Sequence, residues 1–497
     1  MRLQRVMLVL AGAAALWCAA PLAGTAEAAA VTVAGTWGKA IEVPGTGALN
    51  KGGDAIVNSV SCASAGNCAV GGHYMDRSGH LQAFEASERN GTWRTAIEVP
   101  GTAALNKGGI ATVVSVSCAS AGNCAAGGDY TDRSRNEQAF VATERNGTWR
   151  TAIEVPGTGA LNKGGNANVS SVSCASAGDC AVGGSYMDRS GHLQAFVASE
   201  RNGTWRTAIE VPGTGAHPER AGGGASVSSV SCASPGNCAA GGSYTDRSGH
   251  GQAFVASERN GTWRTAIEVP GTGALNKGRL PFFPAVASVL SVSCASAGNC
   301  TAGGYYRDRS GLEQAFVASE RNGTWRTAIE VPGTGALNKG GPAPAGAGAA
   351  VLSVSCASAG NCVAGGSYEV NPCCYLQQAF VASERDGTWR TAIEVPGIAA
   401  LNKGLYANVL SVSCASAGNC AAGGEYADSS HHAHAFVASE RDGTWRTAIE
   451  VPGTAALNKG LYASVNSVSC APAGNCTAGG YYANRRGKRQ AFVASQT

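Results

Sequence analysis

Short runs in which apolar and small polar residues alternate recur along the whole chain, each bounded by turn residues. Val289-Leu-Ser-Val-Ser-Cys294 is one such run, and its period of two predicts a β-strand. A second follows a Gly-Asn or Gly-Asp turn and extends from Cys300 to Tyr306. Its Gly-Gly pair predicts a crowded position where neighbouring backbones approach closely. The third is Gln-Ala-Phe-Val-Ala-Ser-Glu, as in Gln194 to Glu200. The fourth, Thr92 to Val99, would place Trp93, Thr95, Ile97 and Val99 on one face and Arg94, Ala96 and Glu98 on the other. A Pro-Gly turn ends it. Helix-period patterns are absent.

These four strands form one unit that is written out eight times. Trp37, Trp93, Trp149, Trp205, Trp263, Trp325, Trp389 and Trp445 mark a period of about 56 residues, stretched in the fourth, fifth and sixth intervals. A four-stranded antiparallel unit with apolar residues on both faces is satisfied by radial packing, which predicts an all-β, eight-bladed β-propeller. The ends of the chain support a closed ring: Val31 to Gly45 holds only a fourth strand, while Ser467 to Thr497 holds strands one to three. The N-terminal strand would complete the C-terminal blade and cover an exposed sheet edge. Residues 1–30 are read as a secretory signal peptide, with basic Arg2 and Arg5, an apolar run from Val6 to Ala20, and small residues at Ala26, Ala28 and Ala30. Residues 31–497 then form a single propeller domain.

The Ser257-Glu-Arg-Asn-Gly-Thr-Trp263 turn resembles a shortened Asp-box turn of bacterial propellers, one residue shorter and without its Asp. With its Ser-Val-Ser-Cys…Cys-x-Ala-Gly-Gly strands, the repeat is similar to secreted repeat proteins of actinobacteria, generally of unassigned activity. The resemblance covers the chain after residue 30 and implies a propeller; it does not imply a sialidase.

Net charge is +4, and no basic tract gives a footprint for nucleic acid. A lipid anchor on Cys18 is disfavoured by the bulky Trp17 before it, and no later run is long and apolar enough to span a bilayer. An exported, unanchored monomer is expected. Of the 19 cysteines, 18 lie beyond the signal, an even number suited to an oxidising compartment. Sixteen form eight Cys-x5-Cys pairs: Cys62 and Cys68, Cys118 and Cys124, Cys174 and Cys180, Cys232 and Cys238, Cys294 and Cys300, Cys356 and Cys362, Cys414 and Cys420, Cys470 and Cys476. Each pair brackets the turn between strands one and two, so the sulfurs can meet across a hairpin. Zinc would need about four N or S ligands, and no His recurs beside the pairs. Cys373 and Cys374, adjacent in an insert, are open to a vicinal disulfide, a bridge to another chain, a redox site or a stiffened loop.

Several repeated motifs carry no chemistry. Asn-Gly-Thr at Asn90, Asn146, Asn202, Asn260 and Asn322 matches a glycosylation sequon, but Asp386 and Asp442 take the same place, so a turn requirement explains it better. Gly-Thr-Gly-Ala-Leu-Asn-Lys-Gly lacks the ending of a phosphate loop. The Ser residues of the Ser-Val-Ser-Cys motif lack a recurring His or a nucleophile elbow. No cofactor and no metal are expected, although His431, His432 and His434 offer either a metal site or a solvated loop.

Length changes fall only after strands two and four, which emerge at the same end of a blade. One face of the disc therefore varies, as a binding surface would, while the Cys hairpins and Asn-Gly-Thr turns occupy the other. Near the end of strand two, Tyr74, Tyr130, Tyr186, Tyr244, Tyr306, Tyr368, Tyr426 and Tyr482 offer sugar contacts, or else cap the blades. Glycoside hydrolysis needs two carboxyl groups in different environments. Glu219, Glu313, Glu369, Glu425 and Asp428 depart from the repeat and keep an enzyme open. The expected function is noncatalytic: a secreted recognition or scaffold propeller for a glycan or cell-surface protein, with multivalency as a source of avidity. The alternative is an extracellular glycoside hydrolase or lyase of the same fold.

Overall fold

A computed structural model describes residues 35–215, 224–280, 283–339, 348–371, 376–472 and 474–496. The expected signal peptide, Glu219, Cys373 and Cys374 lie outside the described residues. Eight antiparallel sheets follow one another, each with the spatial order of strands one, two, three and four. In blade one these are Ala55–Ser64, Asn67–Met75 and Leu81–Arg89, with strand four in two pieces, Thr92–Trp93 and Ile97–Glu98. Blades two to eight begin their first strands at Ala111, Ala167, Ala225, Ala287, Ala350, Ala407 and Ala463. The N-terminal strand Ile41–Glu42 completes blade eight, with Ile41 opposite Val493 and Glu42 opposite Phe492. Trp37 bridges Gln496 in the same seam.

The break in strand four corrects the alternation expected there. Trp93 and Thr92 still oppose Glu88 and Arg89, but pairing resumes only at Ile97, opposite Glu85. Between them the chain turns to the neighbouring blade, where Ala96 N–H donates to the Pro44 carbonyl at 2.7 Å. Ala96 is therefore buried, whereas Ile97 stands on the outer rim, 44% exposed. The connector that follows is also not all turn: seven of the copies contain one helical turn, as at Thr46–Leu49.

Apolar residues of consecutive blades make the core. Ala69, Ala83 and Val99 of blade one pack with Val113, Val116, Phe140 and Trp149 of blade two. The strand-three phenylalanines, Phe84 to Phe492, are fully buried in all eight blades. The Gly-Gly pair is crowded from both sides. A Cβ on Gly72 would lie 1.8 Å from the carbonyl oxygen of Ile56 in its own blade, and one on Gly71 would lie 2.5 Å from Val113 Cγ1 of the next.

The two serines of the Ser-Val-Ser-Cys motif close the ring. The first strand is the inner edge of each sheet, so its outward N–H groups have no ladder partner. Val116 N–H donates to Ser59 Oγ at 3.0 Å and Cys118 N–H to Ser61 Oγ at 2.9 Å. The same two bonds recur at every junction. The last are made by Val60 and Cys62 of blade one to Ser467 and Ser469 of blade eight.

Candidate functional site

On the lower face the constant motifs lock one another. All eight Cys-x5-Cys pairs are disulfides, with the two Cα atoms about 4.0 Å apart across the hairpin. The Asn-Gly-Thr turn holds Asn90 at a φ of 48°, and Asp386 and Asp442 adopt the same value. That left-handed conformation is one Asn and Asp tolerate, which accounts for their exchange. The turn then docks on the disulfide hairpin, with Gly91 N–H donating to the Gly66 carbonyl and Asn90 N–H to Asn67 Oδ1. Between blades, Arg89, Arg145, Arg201, Arg259, Arg321 and Arg385 pair with Glu144, Glu200, Glu258, Glu320, Glu384 and Glu440 at 2.5–2.9 Å.

On the upper face the repeated tyrosines lie in the blade cores. Tyr74, Tyr130, Tyr186, Tyr306, Tyr368, Tyr426 and Tyr482 are at most 5% exposed, and Tyr244 is partly buried. Six hydroxyls donate to a strand-four glutamate, as Tyr186 does to Glu210 at 2.9 Å. The Asp that follows closes its own turn. Asp76 Oδ1 accepts from the N–H groups of Ser78 and His80, and Oδ2 from Gln82. In blade seven, His434 replaces that glutamine. It bonds Asp428 at 3.2 Å and Glu450 at 3.5 Å and stacks on Tyr426, while His432 also contacts Asp428. Burial pushes the Asp428 carboxyl up, but the backbone N–H groups of His432 and Ser430, then the two histidines, hold it down at about 2. No group of three or more His, Cys, Asp or Glu side chains fit to hold a metal occurs among the described residues.

The unlike residues gather one step away from the constant Tyr. The residue before it is His73, Asp129, Ser185, Ser243, Tyr305, Ser367, Glu425 or Tyr481 in the eight copies. From blade seven to blade one, this position joins residues of the adjoining connectors in a continuous arc. Tyr462 and Tyr481 stack, with centroids 5.9 Å apart and planes 19° from parallel. The Tyr462 hydroxyl is also within hydrogen-bonding reach of Tyr406 and Tyr481. Glu425 lies beside Tyr406 and Tyr481, and burial pushes its carboxyl up. The Arg489 guanidinium sits 5.7 Å from the centre of the Tyr481 ring and pairs with Asp54 at 2.6 Å. Asp54 in turn stands 4.0 Å from His73, whose other ring nitrogen is 3.0 Å from Thr112 Oγ1. Burial holds the His73 pKa below its ordinary value, with Arg489 acting in the same sense and Asp54 opposing.

The rim of the arc is exposed while Tyr481 is buried at its centre, and the backbone departs from the repeat. Leu405, Leu461 and Tyr462 are 43–47% exposed. Leu461 has a φ of 67°, where three described connectors place glycine, Gly53, Gly109 and Gly165. A branched side chain in that conformation is strained, a feature that clusters at functional sites. Of the acids singled out from the sequence, Glu425 belongs to the arc. Glu313 pairs with Arg307 at 2.8 Å in blade five, and Glu369 is fully buried with neither oxygen paired among the described residues. Tyr406, Tyr462, Tyr481, Arg489, Asp54 and His73 were not singled out as a group. Aligning the eight copies by their constant Tyr would have exposed the variable column, but not the fact that three neighbouring blades bring its residues together.

No family model matches the chain, and comparison with curated proteins gives no match. Among solved structures, a polysaccharide lyase of the PL25 ulvan lyase family aligns at 9% identity and a TM-score of 0.42, over 81% of this chain and 95% of its own. The β-propeller domain of the trilobed protease from Pyrococcus furiosus aligns at 8% identity and 0.40, over 79% and 97%. The Hadza microbial sialidase Hz136 aligns at 10% and 0.32, over 83% and 68%. Likeness this distant carries no argument about chemistry.

Proposed function

We propose that the protein is a secreted, noncatalytic recognition propeller that binds a glycan along the arc from Tyr406 to His73. The observation that supports this most is the Tyr406, Tyr462 and Tyr481 group beside Arg489, Glu425 and Asp54, assembled only where the repeats diverge. Aromatic faces with a small number of placed polar groups suit a sugar's apolar ring face and its hydroxyls. The rigid disulfide-bonded blades beneath keep such a surface pre-organised. Eight disulfides fit an oxidising compartment, and no helix among the described residues is long and apolar enough to cross a membrane. Export remains the reading of residues 1–30.

One observation favours a glycoside hydrolase or lyase instead. Glu425 and Asp54 stand on either side of the Tyr481 and Arg489 pair in unlike surroundings: burial pushes the Glu425 carboxyl up, and Asp54 pairs with Arg489 at 2.6 Å. A glycan array with a pull-down on cell-wall material separates the two readings. Binding that survives without turnover, and that Tyr462→Ala weakens at least tenfold, supports recognition. Turnover of a chromogenic glycoside that Glu425→Gln abolishes would replace it with catalysis.

A further inference from the structure

Six of the eight junctions between blades carry the same ion pair, and the two that flank blade eight break the rule. Six arginines at the end of strand three each reach the strand-three glutamate of the next blade, which is at most 2% exposed as a side chain. In blade eight, Ser-Glu-Arg becomes Ser495-Gln496-Thr497, so no arginine is supplied to Glu88 of blade one. Glu88 is nevertheless buried, 4% exposed. It makes no ion pair among the described residues. Burial alone acts on its carboxyl and pushes it up, whereas arginine opposes that effect at Glu144, Glu200, Glu320, Glu384 and Glu440.

The space beside Glu88 matches the missing group. A cavity of about 330 Å³ lies between blades eight and one, lined by Glu88, Ser64, Gly91, Asn475, Thr477, Ser495 and Gln496. Where an arginine is present the corresponding space is smaller, about 150 Å³ beside Arg259 and Glu320 and about 10 Å³ beside Arg441. Arg441 donates to the Gly35 carbonyl, and Gln496 stands in place of the glutamate. The cavity borders the exposed Asn90–Gly91 turn, so it is reachable from the lower face.

We propose that this seam is a binding site for the guanidinium group of an arginine side chain presented by another polypeptide. Glu88 would accept from it as Glu144 accepts from Arg89, while the Ser495, Thr477 and Asn475 groups face its remaining N–H donors. A buried carboxylate and a planar fork of donors form a charge-assisted, directional contact. The proposal is independent of the glycan reading, because the seam lies on the opposite face from the arc.

The test is calorimetric titration of the full chain with N-acetyl-arginine amide, and with the neutral isostere N-acetyl-citrulline amide. Saturable binding of the arginine compound, at least tenfold tighter than the citrulline compound, is expected. Glu88→Gln should lower that affinity at least tenfold; Gln496 shows that the fold accepts glutamine at this position. Glu144→Gln, whose arginine is internal, should leave it unchanged. No saturable binding, equal binding of the two compounds, or binding that survives Glu88→Gln would each overturn the proposal.

Discussion

Glu85 provides a direct test of how the core treats charge. It occupies a strand-three position held by valine in the other seven blades, opposite Gly71, and is 3% exposed. Burial pushes its pKa from an ordinary 4.5 to about 9, with Glu144 adding to the rise and Arg89 opposing it. The folded protein therefore holds a proton that the unfolded chain releases above pH 4.5, so stability falls as pH rises from that value to about 9. At about 1.4 kcal/mol per pH unit, the cost is roughly 3 kcal/mol at pH 7 and under about 1 kcal/mol at pH 5. Glu85→Val should raise stability by about that amount at pH 7, with a further gain from burying the aliphatic side chain. Urea unfolding of the disulfide-intact protein, followed by tryptophan fluorescence, measures the midpoint. The gain should be about 2–3 kcal/mol larger at pH 7 than at pH 5. An unchanged or lowered midpoint at pH 7, or the same gain at both values, would refute the reasoning.

Three further outcomes are expected. Ser171→Ala removes the acceptor for the Val230 N–H and should cost about 1–2 kcal/mol, with faster amide exchange at Val230 itself. Replacing Cys174 and Cys180 together by serine should cost roughly 2 kcal/mol, read from the same midpoint, while non-reducing peptide mapping of the native protein should return each of the eight hairpin pairs. Arg145→Met strands Glu200, 1% exposed, and should cost about 3 kcal/mol near pH 7; the loss should shrink as Glu200 is protonated at lower pH.

Much of the scaffold is legible without coordinates because a propeller repeats one local rule. Alternation in each strand and the Cys-x5-Cys spacing depend on near neighbours in the chain, and the ends are legible as complementary fragments of that repeat; the structure bears out the blade, the hairpin disulfides and the closing strand. The break in strand four was not legible. Its alternation is regular, but the Ala96 N–H is taken by Pro44 of another blade, and that bond turns the chain out of the sheet.

The serines of the Ser-Val-Ser-Cys motif mark the boundary between the two kinds of information. As sequence they are small polar residues on a strand; their role as acceptors for the next blade's free N–H groups exists only once eight inner edges face one another. The arc proposed as a binding surface has the same origin. Tyr406, Glu425, Tyr481, Asp54 and His73 are separated by up to several hundred residues, yet ring closure sets blade eight beside blade one and brings them into one surface. Sequence by itself determined the repeated blade, because hydrogen-bonded hairpins and turn conformations are local. Tertiary structure alone decided which unlike residues meet, because closure of the ring, and no local preference, makes the two ends of the chain neighbours.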